Sequence, residues 1–324
     1  MKLQILIPQY TETDEIIKPL LNSIAIQQGI DFSEIGVIII NDGSDIRLTN
    51  FIFDYPFRVK YYATTEHEGV SATRNHCLEQ ATADYVMFCD ADDMFYSVRS
   101  LFLIFTKIKE GFDTLVSTFL EEGRDENNQS TYAVHVNDAV FVHGKVHRRQ
   151  YLLENKIFFL PALTIHEDSY FNIQCQELTE NIAHLEEPIY LWKWRDDSIC
   201  RKDPKYGFKT MTNLIDTNDA LISTFYFERG RTDSAQKYAS RAVLDFYYMM
   251  QRPDWQAEEN KEYRNTTEQY FALFYKKWHK LWETVDAKEF AALSNAIRER
   301  TISEGMLMEK ETLEQWLEHI RNLS

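Results

Sequence analysis

Three short apolar runs, each ending abruptly in a polar cluster, constrain this chain more than any other feature. Lys2–Ile7 leads into Pro8-Gln9-Tyr10-Thr11-Glu12, and Gly36–Ile40 leads into Asn41-Asp42-Gly43-Ser44-Asp45. Tyr85–Phe88 leads into Cys89-Asp90-Ala91-Asp92-Asp93. Short apolar runs bounded by turn residues read as buried strands. Between the first two, Ile16, Ile17, Leu20, Leu21, Ile24 and Ile26 recur at largely helical spacing. Before the third, His67-Glu68-Gly69-Val70-Ser71-Ala72-Thr73-Arg74-Asn75 is a Gly-containing loop that opens another helix. Strand, helix, strand, helix, strand predicts an α/β fold with a parallel sheet and crossover helices. Ligands of such sheets collect beyond the carboxyl ends of the strands, so the three polar clusters are expected to share one crevice.

The third cluster carries the most chemistry. Three carboxylates within four residues repel one another, and a hard divalent cation resolves the conflict because it takes oxygen ligands. Mg²⁺ is usually held by one or two protein carboxylates together with substrate phosphates. The plainer alternative is a solvated acidic turn that caps the next helix.

The order IPQYTE, IIINDGSD, HEGVSATRN, FCDADD resembles family 2 of the glycosyltransferases. Downstream, His166-Glu167-Asp168 before Ser169-Tyr170-Phe171 is similar to the family's Glu-Asp motif. Tyr190-Leu191-Trp192-Lys193-Trp194-Arg195 with Ser198-Ile199 resembles its Tyr-x-Arg…Ser element. The resemblance covers about residues 1–205; Thr11 departs from it, standing where the family commonly has Asn. It implies a GT-A domain over 1–205, a Rossmann-like, mixed and mainly parallel sheet flanked by helices. An all-α region is expected over 206–324. The implied activity is an inverting, metal-dependent, hexosyltransferase-type transfer from a nucleotide-sugar, a UDP-sugar by preference, to a hydroxyl of a glycan or other surface polymer.

Such a transfer needs a base pocket, neutralisation of the departing diphosphate, and a group that takes the acceptor proton. The donor-binding residues are taken as Pro8, Tyr10, Glu12, Asp42, Arg74, Asp90, Ala91, Asp92 and Arg195. Asp42 is placed to accept from an imide N–H of uracil or thymine, with Tyr10 flanking the base and Glu12 reaching base or ribose. Asp42 before Gly43 is also a good turn pair in its own right. Arg74 binds a phosphate or pairs with an acidic strand end. Asp90 and Asp92 are two apart, and in an extended segment they would project to one side. Asp92 is then the direct ligand of Mn²⁺ or Mg²⁺, Asp90 supports the metal or contacts ribose, and Asp93 caps the next segment. Asp168 is the candidate base and Glu167 its partner; the alternative is an acidic helix N-terminus over Ser169–Leu178. Among His143, His147 and His166, one can complete the metal shell, and none is assigned. The resemblance implies that Gly144, Lys145 and Arg148 lie on the acceptor and phosphate side, and Arg195 and Ser198, with Arg201 and Lys202 adding positive charge, are expected in a loop closing over the diphosphate.

Composition bounds the partners. The 324 residues carry a net charge of −16, with 51 acidic against 35 basic side chains. A nucleic-acid backbone or an anionic membrane surface is therefore a poor partner. The first residues lack a signal-peptide layout, and no apolar run approaches a membrane span of about 20 residues. Cys77, Cys89, Cys175 and Cys200 are widely spaced and read as reduced thiols. A cytoplasmic location follows, or attachment to a membrane through a partner. Three other functions stay open: a sugar nucleotidyltransferase, a DxD phosphohydrolase, and a catalytically silent binding or scaffold module. The first usually carries a Gly-rich basic loop after its first strand, and none follows Ile7 here.

Near Lys205 the pattern becomes helical. Stripes run through Phe208–Phe225, Tyr238–Tyr247, Tyr263–Trp282, Phe290–Ile297 and Leu313–Ile320, with Asp286-Ala287-Lys288-Glu289 as a capping sequence. Pro253 and Arg229-Gly230-Arg231 separate elements. The stripes read first as core and second as a surface for self-association or acceptor docking.

Overall fold

The opening apolar runs are buried on both faces, which is why they are nearly continuous instead of alternating. The structure is a computed structural model describing residues 1–196, 198, 203–303, 305–308 and 310–323, which divide into two units, Met1–Asp196 and Asp197–Ser324.

The first unit is built on β1 (Leu3–Gln9), β2 (Ile35–Asn41), β3 (Arg58–Ala63), β4 (Tyr85–Phe88), β5 (Met94–Phe95), β6 (Thr114–Arg124), β7 (Ser130–His135), β8 (Lys145–Arg148) and β9 (Ile182–Trp192). The sheet order is β3-β2-β1-β4-β8-β6-β9-β5, with β7 pairing on β6. Its N-terminal half, β3-β2-β1-β4, is parallel throughout. Beyond β4 the sheet is mixed, because β8 enters antiparallel between β4 and β6. Strand β1 runs two residues past its apolar run, pairing Pro8 with Ile40 and Gln9 with Asn41. Strand β3 was not legible in the sequence: it is an edge strand whose side chains are largely open to solvent.

Period-two alternation splits the side chains into two cores. Leu3, Ile5, Ile7, Val37, Ile39 and Met87 face one core, with Ile17, Leu20, Leu21 and Ile24 of α1 (Asp14–Ala25). Leu101 and Ile104 of α3 (Ser100–Glu110) join them. Leu6, Ile38, Ile40, Val86 and Phe88 face the other core, against Cys77 and Leu78 of α2 (Val70–Gln80). Leu152 of α4 (Arg149–Glu154) and Phe171 of α5 (Glu167–Glu177) close that side. The chain leaves β1 toward β2 and β3, then crosses back to place β4 on the opposite side of β1. The crevice at that reversal is where an open α/β sheet binds ligands.

An aromatic cluster on the second core fixes the helix that matters most. Phe159 and Phe171 stack with centroids 4.0 Å apart, and Phe88 meets them edge-on at 5.1 and 5.6 Å. The same cluster thus locks the end of β4 to α5. Cys77, Cys89 and Cys175 are buried; Cys200, Ile199, Arg201 and Lys202 lie outside the described residues.

In the second unit the stripes form helices Met211–Ser223, Thr232–Met250, Lys261–Trp282, Ala287–Ser303 and Leu313–Leu323. The first stripe is interrupted after Tyr206–Lys209 and widens into a π-helical turn over Thr224–Glu228. Pro253 occupies the first turn of a short helix, and Gly230 turns the chain with φ 62°. Asp286 Oδ1 accepts from the N–H of Lys288 (2.9 Å) and of Glu289 (3.2 Å), as its sequence suggested. A second capping box was missed: Thr312 N donates to Gln315 Oε1 at 2.9 Å, and Gln315 N to Thr312 Oγ1 at 3.2 Å. Trp316 is fully buried beside Phe271 and Tyr247, so this part of the stripes is core. Among the described residues no helix is long and apolar enough to cross a membrane.

Replacing a buried phenylalanine by alanine costs about 3–5 kcal/mol. Phe171→Ala is expected to lose that much in urea denaturation, with one cooperative transition for the first unit shifted to lower denaturant.

Candidate active site

One buried cation organises the crevice. Arg74 lies in the first turns of α2, which begins after Gly69 at φ 90°, a conformation glycine adopts without strain. Its side chain is 4% exposed and sits over the ring of Phe159. Its Nη2 donates to Asp90 Oδ1 at 2.9 Å, and its Nη1 to Glu167 Oε1 at 2.9 Å and Asp168 Oδ1 at 2.6 Å. The guanidinium fork therefore joins the end of β4 to the N-terminus of α5, two segments far apart in the chain. Burial opposes the charge on Arg74, and Asp168, Asp90 and Glu167 together outweigh it, so the guanidinium stays protonated.

The carboxylates divide by environment. Burial pushes Asp168 up to about 7, with Glu167 and Asp90 adding to it and Arg74 and His143 opposing. Its second oxygen accepts from Val142 N at 3.2 Å. Burial would also raise Asp90, yet Arg74 and His143 hold it below the usual range. Burial and the Asp90 charge raise Asp92. Glu167 and Asp168 open α5 behind His166, whose φ is 62°, an uncommon left-handed backbone for a non-glycine residue. The helix N-terminus favours both carboxylates.

Asp90-Ala91-Asp92 is a turn, closed by Asp93 N donating to Asp90 O at 3.2 Å, and not the extended segment expected. The strand ends at Phe88, so the two side chains are not held on one side by a strand's alternation. Asp92 instead takes Arg195 Nη1 at 2.8 Å, and Arg195 also lies 3.9 Å from Glu12. Glu12 turns back to accept the N–H of Tyr10 at 2.8 Å. Asp93 does not cap a helix. It is buried, accepting from Tyr190 Oη at 2.7 Å and Lys193 N at 2.9 Å, while Tyr190 Oη accepts the N–H of Asp90 at 3.1 Å. Burial, with Asp92 and Asp90 beside it, holds the Asp93 carboxyl well above the usual range.

His143 is the histidine that reaches the acidic turn. Its ligating atom and those of Asp90 and Asp93 lie within 4.8 Å of one another. Its Nδ1 is buried, 3.8 Å from Asp93 Oδ2, and makes no hydrogen bond among the described residues. Burial lowers its basicity against the pull of Asp90 and Asp168. A neutral imidazole beside an oxygen-rich turn suits a divalent cation of the Mn²⁺ type. His147 is buried on Thr114 instead, and Arg148 pairs with Asp113.

At the ends of β1 and β2, Asp42 is 3% exposed and its oxygens are taken. Oδ1 accepts Glu68 N at 2.7 Å, Oδ2 accepts Gly69 N at 2.9 Å, and His67 Nδ1 lies 2.8 Å from Oδ2. Tyr10 stacks on His67 with centroids 4.1 Å apart. Pro8 lies half-buried within β1 and Ala91 is buried in the acidic turn.

Several supporting contacts gave no sequence signal. Asn75 bonds the backbone of Phe159 in both directions, at 2.8 and 2.9 Å, and Ser71 Oγ donates to Leu163 O at 2.9 Å. Both tie α2 to the segment leading into His166. Asp138 accepts from Val140 N and Phe141 N at 2.8 Å and pairs with buried Lys145, fixing the backbone that presents Val142 to Asp168. The contacts of His67 with Asp42 and of Asp93 with Tyr190 were invisible because the partners are distant in sequence, and Asp138 carried no motif.

Comparison with known proteins agrees with this architecture. The family model described as glycosyl transferase family 2 matches residues 4–172, over half of the chain, and the chain belongs to that family. It is 24% identical to the putative glycosyltransferase EpsH of Bacillus subtilis over 235 residues, covering 65% of this chain and 66% of that protein. It is 24% identical to glycosyltransferase GlyA of Streptococcus pneumoniae over 249 residues, covering 68% of this chain and 34% of that one. The chain thus spans only part of these curated relatives. Residues 1–349 of S. aureus TarS, solved with UDP-GlcNAc, superpose with a TM-score of 0.55 at 18% identity, covering 83% of this chain and 91% of that one. That likeness shows the fold: the GT-A type followed by a helical region.

Removing one partner of a buried ion-pair network costs about 3–5 kcal/mol because charge is left uncompensated. Arg74→Met is expected to lose this much at pH 7.5 and less at pH 5.5, where the abandoned carboxylates take up protons. Urea unfolding at the two pH values measures the difference. Arg74→Lys is expected to recover only part of it, since an ammonium cannot span three carboxylates as the fork does.

Proposed function

We propose that the chain is an inverting, metal-dependent glycosyltransferase that moves a sugar from a UDP-sugar to a hydroxyl of a glycan or other polymer. The observation that carries the reading is the Arg74 fork. It sets Asp90, in the acidic turn after β4, against the Glu167–Asp168 pair at the start of α5. A donor diphosphate at the turn and an acceptor hydroxyl at the pair would then meet across one guanidinium. The structural neighbour TarS was solved in complex with UDP-GlcNAc, and TarS of Staphylococcus aureus is a poly(ribitol-phosphate) β-N-acetylglucosaminyltransferase. Both points favour a UDP-sugar and a polymeric acceptor here.

In this reading Tyr10, Asp42, Pro8 and Glu12 form the nucleoside end, and Asp90, Ala91, Asp92 and Arg195 the diphosphate end. Asp92 and Asp90, each with about a third of its side chain open, would hold Mn²⁺ or Mg²⁺, with His143 adjoining. Such a cation, when bound, neutralises the charge that develops on the departing diphosphate. The acceptor oxygen forms its bond to the anomeric carbon as the bond to the diphosphate oxygen breaks, and the electron pair leaves with the diphosphate. Asp168 takes the acceptor proton. Its raised affinity for a proton suits that task near neutral pH, and burial sustains it, with repulsion from Glu167 and Asp90 adding to it. Val142 N–H and Arg74 fix its two oxygens.

The deciding experiment is a panel of nucleotide-sugars screened for binding by thermal shift, with and without Mn²⁺, since a ligand of the native state stabilises it by mass action. A UDP-sugar that shifts the melting temperature only with the metal supports the reading; no shift from any member sinks it. Asp92→Asn is expected to remove the metal-dependent part of the shift and leave the stability of the ligand-free protein within about 1 kcal/mol of wild type.

Asp168→Asn is expected to lower turnover by at least about a hundredfold and leave UDP affinity unchanged, because a base acts on the acceptor and not on the nucleotide. The wild-type rate should rise with pH and level off above about 7, where Asp168 is ionised. Near-wild-type turnover in a mutant that merely melts early would reassign Asp168 as a helix cap.

A further inference from the structure

In the second unit the helices Met211–Ser223 and Lys261–Trp282 run side by side in the same direction. Asp216 meets Tyr270, Asp219 meets Trp278, and just upstream Phe208 stacks on Tyr263 with centroids 5.8 Å apart. Two clefts open along this seam. One, of about 200 Å³, is lined by Ile215, Asp216, Asp219, Tyr270, Leu273 and Lys277. The other, of about 310 Å³, is lined in part by Phe208, Thr212, Tyr263 and Thr266. Thr212, Asp216 and Asp219 recur at three- and four-residue steps on one helix, and Tyr263, Thr266, Tyr270, Leu273 and Lys277 on the other, so the clefts share one face of each. From Tyr263 to Lys277 that face extends about 21 Å, at a rise of about 1.5 Å per residue.

Aromatic rings close the groove beyond Lys277, whose Nζ lies 4.8 Å over the ring of Trp278. After Ser223 the chain widens into the π-helical turn Thr224–Glu228, a device frequent at functional sites. This turn sets Tyr226 and Phe227 both against Trp278, with centroids 6.3 and 5.9 Å away, yet leaves them 40% and 69% exposed. Tyr270 and Leu273 are exposed as well. Large apolar side chains grouped on a surface mark an interaction site. The carboxylates beside them are held in place. Asp216 Oδ1 accepts from Tyr270 Oη at 2.7 Å, and Asp219 Oδ1 from Trp278 Nε1 at 2.6 Å. Lys277 lies 2.8 Å from Asp219, and Lys209, on the second cleft, lies 2.6 Å from Asp203.

We infer that this groove is a glycan-binding subsite for an uncharged stretch of the polymeric acceptor, with Phe227 and Tyr270 stacking on sugar rings and Asp216 and Asp219 accepting from their hydroxyls. The inference deepens the reading above and rests on its glycan acceptor. A sugar ring has a flat face of C–H groups that packs on an aromatic ring, and hydroxyl donors around its rim that suit carboxylates, which accept only. Each carboxylate oxygen has two lone pairs, so Asp216 and Asp219 keep acceptor capacity beside the donors they already hold. The lysines of the groove are paired with carboxylates, and two aspartates against one lysine leave the first cleft negative. That balance disfavours a phosphate polymer or any other polyanion. Two small clefts in a row suit successive units of an extended chain.

Calorimetric titration of the whole chain with cellohexaose, chitohexaose, maltohexaose and, as an anionic counterpart, a hyaluronan hexasaccharide tests this. At least one neutral hexaose is expected to bind, and more tightly than hyaluronan. Phe227→Ala and Tyr270→Ala should each weaken that binding at least about fivefold and together remove it, because truncating a stacked aromatic ring is among the costliest changes at a binding surface. Should Tyr270→Ala fail to fold, Leu273→Arg, at an exposed position in the same cleft, must block binding instead. No binding by any neutral hexaose, tighter binding of hyaluronan, or neutral binding that these substitutions leave unchanged overturns the inference. So does a dimer in light scattering that Phe227→Ala dissociates while no hexaose binds; the groove then belongs to a second copy. The thermal shift by UDP-sugar and Mn²⁺ on the same samples separates the two readings. A retained shift without hexaose binding strikes the groove alone, and hexaose binding without any shift strikes the transfer reading and with it the acceptor role.

Discussion

The first unit depends on a single buried charge. Arg74 brings a guanidinium into the interior, where it is tolerated only because Asp90, Glu167 and Asp168 converge on it. The converse is equally binding: those carboxylates can share one crevice only because a cation sits between them. The arrangement ties α2, the end of β4 and the start of α5 into one unit of electrostatics. The Phe88–Phe159–Phe171 cluster beneath it does the same through packing.

Around that centre, the acidic turn is positioned from behind. Tyr190 Oη touches both Asp90 N and Asp93, and Asp93 also holds the backbone of Lys193, two residues before Arg195. The end of β9 and the turn after β4 are therefore tied together. On the other side, Asp138 and Lys145 brace the loop whose Val142 N–H meets Asp168. Both braces are buried polar networks, which specify one geometry when every member is satisfied. Together they hold Asp168 and the acidic turn after β4 in one hydrogen-bonded arrangement.

Much of this was legible. The apolar runs Lys2–Ile7, Gly36–Ile40 and Tyr85–Phe88 became β1, β2 and β4 with only their ends displaced. The helical stripes after residue 205 became helices because burial of one face repeats every three or four residues whatever the partner is. The edge strand β3 and the insertion of β8 were not legible. An edge strand is half solvated and carries no strong pattern, and the place of a strand in a sheet is a non-local property. The turn at Asp90–Asp92 was misjudged for a related reason: the strand stops where tertiary hydrogen bonds to Tyr190 take over.

The sequence by itself determined the α/β pattern, the three acidic and polar clusters at strand ends, the helical character of the C-terminal region and the family. These are local signals, written in periodicity and short motifs. Only the tertiary structure decided who faces whom. It set Arg74 between two motifs far apart in the chain, turned Asp93 inward, and covered Asp42 with His67. The physical reason is that charges and hydrogen bonds act over a few ångströms of space, and contacts between residues tens of positions apart leave no trace in the spacing of either partner.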